Sequence, residues 1–223
     1  MAKLIVLEGL DGSGKGTQTQ ILADRLRAGG RKVRKLEFPA YASDGSMLVR
    51  MYLSGRFGEK PEDTNAYAAS MFFAADRYAS YASDWKRDME DPQAVILANR
   101  YTTANAYHQL SKLPREDWDA FLGWLWDFEF AKLGLPAPDL VILLDMPERV
   151  SSALVRKRSA ETGRAADIHE RDGAYLRRSR EAAAYAAEKC GWTVISCAAE
   201  NADAPDPVSV IADKVFRAAF TVL

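Results

Sequence analysis

The stretch LIVLEGLDGSGKGTQTQ, Leu4 to Gln20, joins two unlike patterns through a glycine-rich loop. Leu4 to Leu7 is a continuous apolar run, short enough to be a buried strand and stopped by Gly9. Beyond Lys15 the apolar positions Ile21, Leu22 and Leu26 fall on one helical face. Between them, Gly9 to Lys15 fits G-x-x-x-x-G-K at the place its chemistry demands, after a strand and at the start of a helix. Glycines let the backbone turn tightly, so that successive N–H groups point inward at phosphate oxygens. The helix N-terminus adds a partial positive charge. Lys15 adds a full one and is expected to project, exposed, into an open site. Gly9, Gly12, Ser13, Gly14, Lys15, Gly16 and Thr17 are therefore read as the grip on a nucleoside triphosphate. The motif normally carries Ser or Thr directly after its lysine. Here Gly16 stands there, and Thr17, one step later, is the candidate metal-side hydroxyl.

Outward from this loop the chain alternates. Strand-like runs recur at RKVRKLEFP (31–39), QAVILANR (93–100), DLVILLD (139–145) and WTVISCA (192–198). Helical patterns separate them: SMLVRMYLSG (46–55), an unbroken segment from Thr64 to about Glu90, and REDWDAFLGWLWDFEFAKLG (115–134). Further helices start at Pro147, near Glu170 and at about Asp206. Strands alternating with helices predict a three-layer α/β fold, a five-stranded parallel sheet covered on both faces. The whole chain, 1–223, reads as one domain, with a small mobile lid around 157–169.

Composition narrows the function classes. The chain has 223 residues, 48% apolar and 27% charged, with net charge −1. That balance argues against a broad nucleic-acid footprint. No apolar run approaches the ~18 residues of a membrane span, and the N-terminus lacks a signal-peptide pattern, so the cytoplasm is expected. Cys190 and Cys197 form no CxxC pair or Cys/His cluster and are read as reduced structural thiols. No guanine-reading N-K-x-D tag is present, which disfavours a GTPase.

Six tags occur in order: EGLDGSGKGTQ (8–18), EFPAY (37–41), MFFAADR (71–77), NRYTTANAYHQ (99–109), EFAKLGLPAPDLVILLD (129–145) and DIHERD (167–172). Together they make the chain resemble the thymidylate kinase family over nearly its whole length. The resemblance implies a P-loop nucleoside monophosphate kinase fold and transfer of the γ-phosphoryl group of ATP to dTMP, with Mg²⁺ as cofactor and a homodimer as the assembly. Two other readings stand beside it: another nucleotide or deoxynucleoside kinase of the same fold, and a catalytically silent nucleotide-binding protein. The last draws on two departures from the family pattern, Gly16 and Asn99.

The resemblance also assigns roles. An anion inside a phosphate loop needs another partner, and the matching family carboxylate bonds the sugar 3′-hydroxyl of the monophosphate; that role falls to Asp11. Phe73 and Arg77, four apart on a helix face, match the residues that stack on thymine and donate to its edge. Arg100 ends a strand at the sheet edge where α/β proteins bind ligands; it matches the arginine between acceptor and donor phosphates. Asn99 replaces the carboxylate of the family's D-R-Y tag. Asn105 matches a base contact and His108 a guard of the sugar 2′ side. Phe38 and Pro39 would shape the base pocket, and Tyr41 would reach the acceptor phosphate. In the lid, Arg156, Arg158 and Arg164 are candidates to stabilise the transferring phosphoryl group, with Asp167 and Glu170 as lid acids.

Overall fold

The computed structural model describes residues 1–162, 168, 173–199 and 201–223, leaving out the side chains of residues 158, 159 and 162. Its elements in chain order begin with β1 (Lys3–Glu8), α1 (Lys15–Ala28), β2 (Lys32–Glu37), α2 (Met47–Leu53), α3 (Ala66–Ser80) and α4 (Lys86–Met89). They continue with β3 (Ala94–Asn99), α5 (Thr102–His108), α6 (Trp118–Trp126), β4 (Leu140–Asp145), α7 (Glu148–Thr162), α8 (Gly173–Cys190), β5 (Thr193–Ser196) and α9 (Val208–Phe220).

The five strands form one parallel sheet in the order β2-β3-β1-β4-β5. The most apolar strands take the middle, because a central strand is buried on both faces. Along β1, Ile5 and Leu7 pack with Leu22, Leu26, Ile211 and Val215 of α1 and α9. Leu4 and Val6 point the other way, to Trp85, Met89 and Tyr101, as strand alternation requires. Edge strand β2 keeps Lys32, Lys35 and Glu37 exposed, which blunts an otherwise open edge. β1 connects outward to β2, while β4 connects to β5 on the opposite side. Connections that diverge in this way open a crevice at the carboxyl ends of the strands.

Three features differ from the sequence expectation. The long helix from Thr64 is divided: α3 starts at Ala66 behind Asn65, whose side chain accepts from the Ala68 N–H at 2.9 Å. A wide π turn, Tyr81–Trp85, then separates it from α4, and Trp85 at its end is wholly buried. A second π turn, Asp127–Lys132, follows α6 and buries Glu129. α7 extends to Thr162, so the opening residues of the expected lid are helical, and Ile168 is buried against Tyr52 and Ala69. Cys190 and Cys197 are unpaired, and burial pushes the Cys197 thiol up to about 12. Among the described residues no helix is long and apolar enough to cross a membrane.

Candidate active site

A cavity of about 520 Å³ follows the carboxyl edge of the sheet, from the Gly9–Lys15 loop to α3 and α5. The loop's glycines are conformational necessities at two positions. Gly12 has φ +82°, and a Cβ there would sit 2.4 Å from the carbonyl oxygen of Ser151. Gly14, at φ +85°, is the residue before α1 begins. Ser13 Oγ is buried without a hydrogen-bond partner, a donor suited to an incoming anion. Lys15 is not exposed as the sequence suggested; it is only 8% accessible. Its stem crosses the loop, and the ammonium donates to the carbonyls of Gly9 at 2.8 Å and Leu10 at 2.9 Å. A buried ammonium needs such acceptors.

Next to the loop lies a charged cluster built on β1, β3 and α5. Arg100 takes φ +66°, a left-handed turn that ends β3, and its N–H reaches Leu7 O at 3.1 Å. Its guanidinium donates to Asp11 Oδ1 at 2.8 Å and to Tyr107 Oη at 2.9 Å. Asp11 also lies 3.9 Å from Lys15 Nζ. Burial opposes ionisation of Asp11, but Arg100 and Lys15 outweigh it and hold the carboxyl far below the usual range. Arg100 is likewise kept charged: Tyr107, Asp11 and Glu8 prevail over its burial. Glu8 is fully buried and accepts from the Tyr101 N–H (3.0 Å), Thr103 Oγ1 (2.6 Å) and Tyr107 Oη (2.8 Å). Burial, the largest influence, raises its pKa above the ordinary value. His108 Nε2 sits 2.9 Å from Arg100 Nη1, which only donates. The ring therefore accepts there and carries its proton on Nδ1, 3.1 Å from Tyr175 Oη.

The lining contributed just after β2, by α3 and around the start of α5 is mostly apolar. Phe38, Pro39, Phe73, Tyr101 and Ala104 belong to it, with Arg77 and Asn105 as polar members. Phe73 meets Tyr52 edge-on at 6.1 Å. Arg77 is neither solvated nor free to spend every donor on a ligand. Its Nε and Nη2 engage Glu129 at 2.7 and 2.5 Å, with both side chains at 2% exposure or less. Asn105 is buried rather than on a helix surface, and donates to Glu129 Oε1 at 3.2 Å and Ser70 O at 3.3 Å. Thr102 Oγ1 adds a third donor to Glu129 at 2.8 Å. Tyr41 is 46% exposed at the rim, on a turn that Asp76 ties to α3 through the Ala40 N–H at 2.9 Å.

A thymidylate kinase family model matches residues 7–204. The thymidylate kinase of Mycobacterium tuberculosis (strain ATCC 25618 / H37Rv) is 32% identical over 191 residues, covering 85% of this chain and 87% of its own. That of Thermomicrobium roseum (strain ATCC 27502 / DSM 5159 / P-2) is 28% identical over 225 residues, covering 100% of this chain and 97% of its own. The chain belongs to the thymidylate kinase family. Kinship makes it a nucleoside monophosphate kinase, and the phosphate loop on a five-stranded parallel sheet fits the P-loop kinase fold.

Within this thymidylate kinase framework the structure brings Asp11, Lys15, Phe38, Pro39, Tyr41, Phe73, Arg77, Arg100, Asn105 and His108 onto one cavity, together with Gly16 and Thr17. Arg156 lies apart, exposed on α7 and lining a smaller hollow with Leu10, Asp11 and Ser151. The Arg158 side chain, Arg164, Asp167 and Glu170 lie outside the described residues. Sequence reasoning missed Glu8, Tyr107, Glu129 and Tyr175. For two of them a signal was present: a carboxylate closing the apolar run LIVLE, and another within the aromatic run WLWDFEF. Charged side chains in such settings are almost never buried unless paired.

Proposed function

We propose that the protein transfers the γ-phosphoryl group of ATP to the phosphate of dTMP, releasing ADP and dTDP. The observation that carries this reading is one cavity lined both by a triphosphate-type loop and by the aromatic residues Phe38, Phe73 and Tyr101. Arg100 lines the same cavity. An oxygen of the acceptor phosphate attacks the γ-phosphorus as the bond to the ADP β-phosphate oxygen breaks, and no covalent enzyme intermediate is needed. The chain's task is alignment and charge neutralisation.

Loop amides, Ser13 and Lys15 hold the donor phosphates. Arg100, charged and fixed by Asp11 and Tyr107, bridges donor and acceptor phosphates. Asp11 is an acceptor only and suits the sugar 3′-hydroxyl, while Phe73 stacks on the base and Arg77 and Asn105 read its edge. Tyr41 reaches the acceptor phosphate, and His108 closes the sugar side. By family resemblance, Arg156, Arg158 and Arg164 are assigned to stabilise charge on the transferring phosphoryl group, with Asp167 and Glu170 as the accompanying acids. Mg²⁺ is the expected companion of the triphosphate. The Thr17 hydroxyl and the buried, unpartnered Oδ1 of Asn99 are oxygens suited to a hard cation, which when bound neutralises phosphate charge.

We also place the protein in the cytoplasm as one domain and as a homodimer. Tyr67, Met71, Ala75 and Tyr78 form an exposed, mostly apolar stripe along α3 that a second copy would cover. Light scattering of the parent and of a Tyr67→Lys/Met71→Lys variant tests the assembly. Coupled ADP release with dTMP, dUMP, dCMP and AMP tests the reaction. Comparable efficiency on AMP would reject the acceptor assignment.

A further inference from the structure

Three carboxylates line the main cavity among the described residues: Asp11, Asp206 and Glu37. The first two are matched by cations. Asp11 lies 2.8 Å from Arg100, and Asp206 2.8 Å from Lys214. Among the described residues Glu37 has no Lys or Arg within 4 Å; it accepts instead from an amide, the Nδ2 of Asn99, which donates to Oε1 at 3.1 Å. The contact follows from the fold. Glu37 and Asn99 are register partners at the carboxyl ends of β2 and β3, so their side chains leave the sheet together beside the phosphate loop. The amide lies 3.9 Å from where a Cβ of Gly16 would be, with nothing nearer that position. The pair therefore stands in van der Waals reach of the phosphate loop at Gly16. Asn99 Oδ1 is buried and unpartnered.

An unmatched carboxylate beside a loop that binds phosphates repels them unless a cation stands between. Mg²⁺ in such sites is typically held by one or two carboxylates, substrate phosphate oxygens and water. Resting on the triphosphate reading above, we propose that Glu37, oriented by Asn99, is the carboxylate that recruits the divalent cation arriving with ATP. Asn99 is then a positioning residue: its amide nitrogen donates to the Glu37 carboxylate and fixes it beside the loop. This assigns a role to an edge-strand residue outside the loop and accounts for an amide, rather than a second negative charge, at position 99.

The test measures metal and nucleotide binding separately, using Mn²⁺ as the probe and a non-hydrolysable ATP analogue. Mn²⁺ paramagnetic resonance gives cation affinity of the enzyme–analogue complex; calorimetry in EDTA gives affinity for the metal-free analogue. Glu37→Gln keeps the hydrogen bond from Asn99 and removes the charge. It should weaken Mn²⁺ binding about tenfold or more while metal-free analogue binds as tightly as to the parent or tighter. The charge-relocating variant Glu37→Gln/Asn99→Asp should recover most of the Mn²⁺ affinity. Parental Mn²⁺ affinity in Glu37→Gln, or equal weakening with and without metal, overturns the proposal. A parent that binds no analogue even with Mn²⁺ overturns the triphosphate reading itself, and this inference with it.

Discussion

Arg77 and Glu129 face each other through two parallel hydrogen bonds, 2.7 and 2.5 Å long, in the interior between α3 and the π turn after α6. Arg77 of this pair lines the base end of the cavity, and Glu129 lies behind it, fully buried. Glu129 also collects Thr102 and Asn105, so one carboxylate orients three donors from two helices. Glu129→Ala is expected to destabilise the fold by ~3–5 kcal/mol, because it strands a buried guanidinium. Urea unfolding of the parent and of Arg77→Met/Glu129→Leu completes the test. The double variant should regain much of the stability while losing base selectivity. Stability unchanged by Glu129→Ala would mean that Arg77 escapes to solvent.

Lys15 gives a second prediction. Its ammonium already bridges two loop carbonyls, so Lys15→Ala removes both a phosphate partner and a brace of the loop. Turnover should fall at least ~10²-fold, with a modest loss of thermal stability and an unchanged circular dichroism spectrum. Lys15→Met, which keeps the stem, should be equally inactive but closer to the parent in melting temperature. Activity within tenfold of the parent in either variant would remove Lys15 from the transfer step.

Lys112 makes stability depend on pH. Burial lowers its pKa to about 7, against a weaker opposing influence of Glu62, while its ammonium donates to Tyr52 Oη at 2.8 Å and Thr64 O at 3.1 Å. The unfolded value is about 10.4. Between these values the unfolded chain binds the proton and the folded chain does not, so this residue's contribution rises with pH from about 7 to about 10. Below pH 7 its cost is full and constant. Lys112→Met should therefore compare best with the parent at pH 6–7 and lose ground as pH climbs, by at most about 1.4 kcal/mol per unit. Chemical denaturation at pH 6, 8 and 9.5 measures the slope. A gap independent of pH would show that the ammonium stays charged throughout.

The sequence carried the phosphate loop and the parallel sheet openly, since both rest on short local signals: glycine spacing, and apolar runs with clear stops. What it hid depends on long separations or on altered helical period. Arg77 and Glu129 are 52 positions apart, and no spacing rule pairs them. The π turns at Tyr81–Trp85 and Asp127–Lys132 shift the helix phase without a glycine or proline to mark the change. α5 is only one element of seven residues, Thr102–His108, too short for periodicity to declare. Lys15 was misjudged because a motif fixes the charge in place without saying which atoms it touches.

Base choice follows from the donors that Arg77 retains. Glu129 occupies Nε and Nη2, and Nη1 is 3.4 Å from the Tyr101 carbonyl at the edge of usable geometry. Nη1 and the second N–H of Nη2 thus keep capacity for a ligand, and both only donate. Thymine and uracil present a carbonyl oxygen at ring position 4, whereas cytosine presents an amino group. Donor against donor in a buried slot leaves both unpaired, at a cost of roughly 1–3 kcal/mol or more. A missing methyl costs only ~1–3 kcal/mol. The expected order is dTMP, then dUMP, then dCMP. Arg77→Ala should narrow the gap between dTMP and dCMP, whereas Phe73→Ala should weaken all bases together, because stacking tolerates base identity. Because Arg77→Ala also leaves Glu129 without its guanidinium, Arg77→Ala/Glu129→Gln serves as the control without that stranded charge. The measurement is the ratio of kcat/KM for dTMP and dCMP in the parent and each variant. An unchanged ratio in both Arg77 variants would move base reading from Arg77 to Asn105, the other buried donor on the slot.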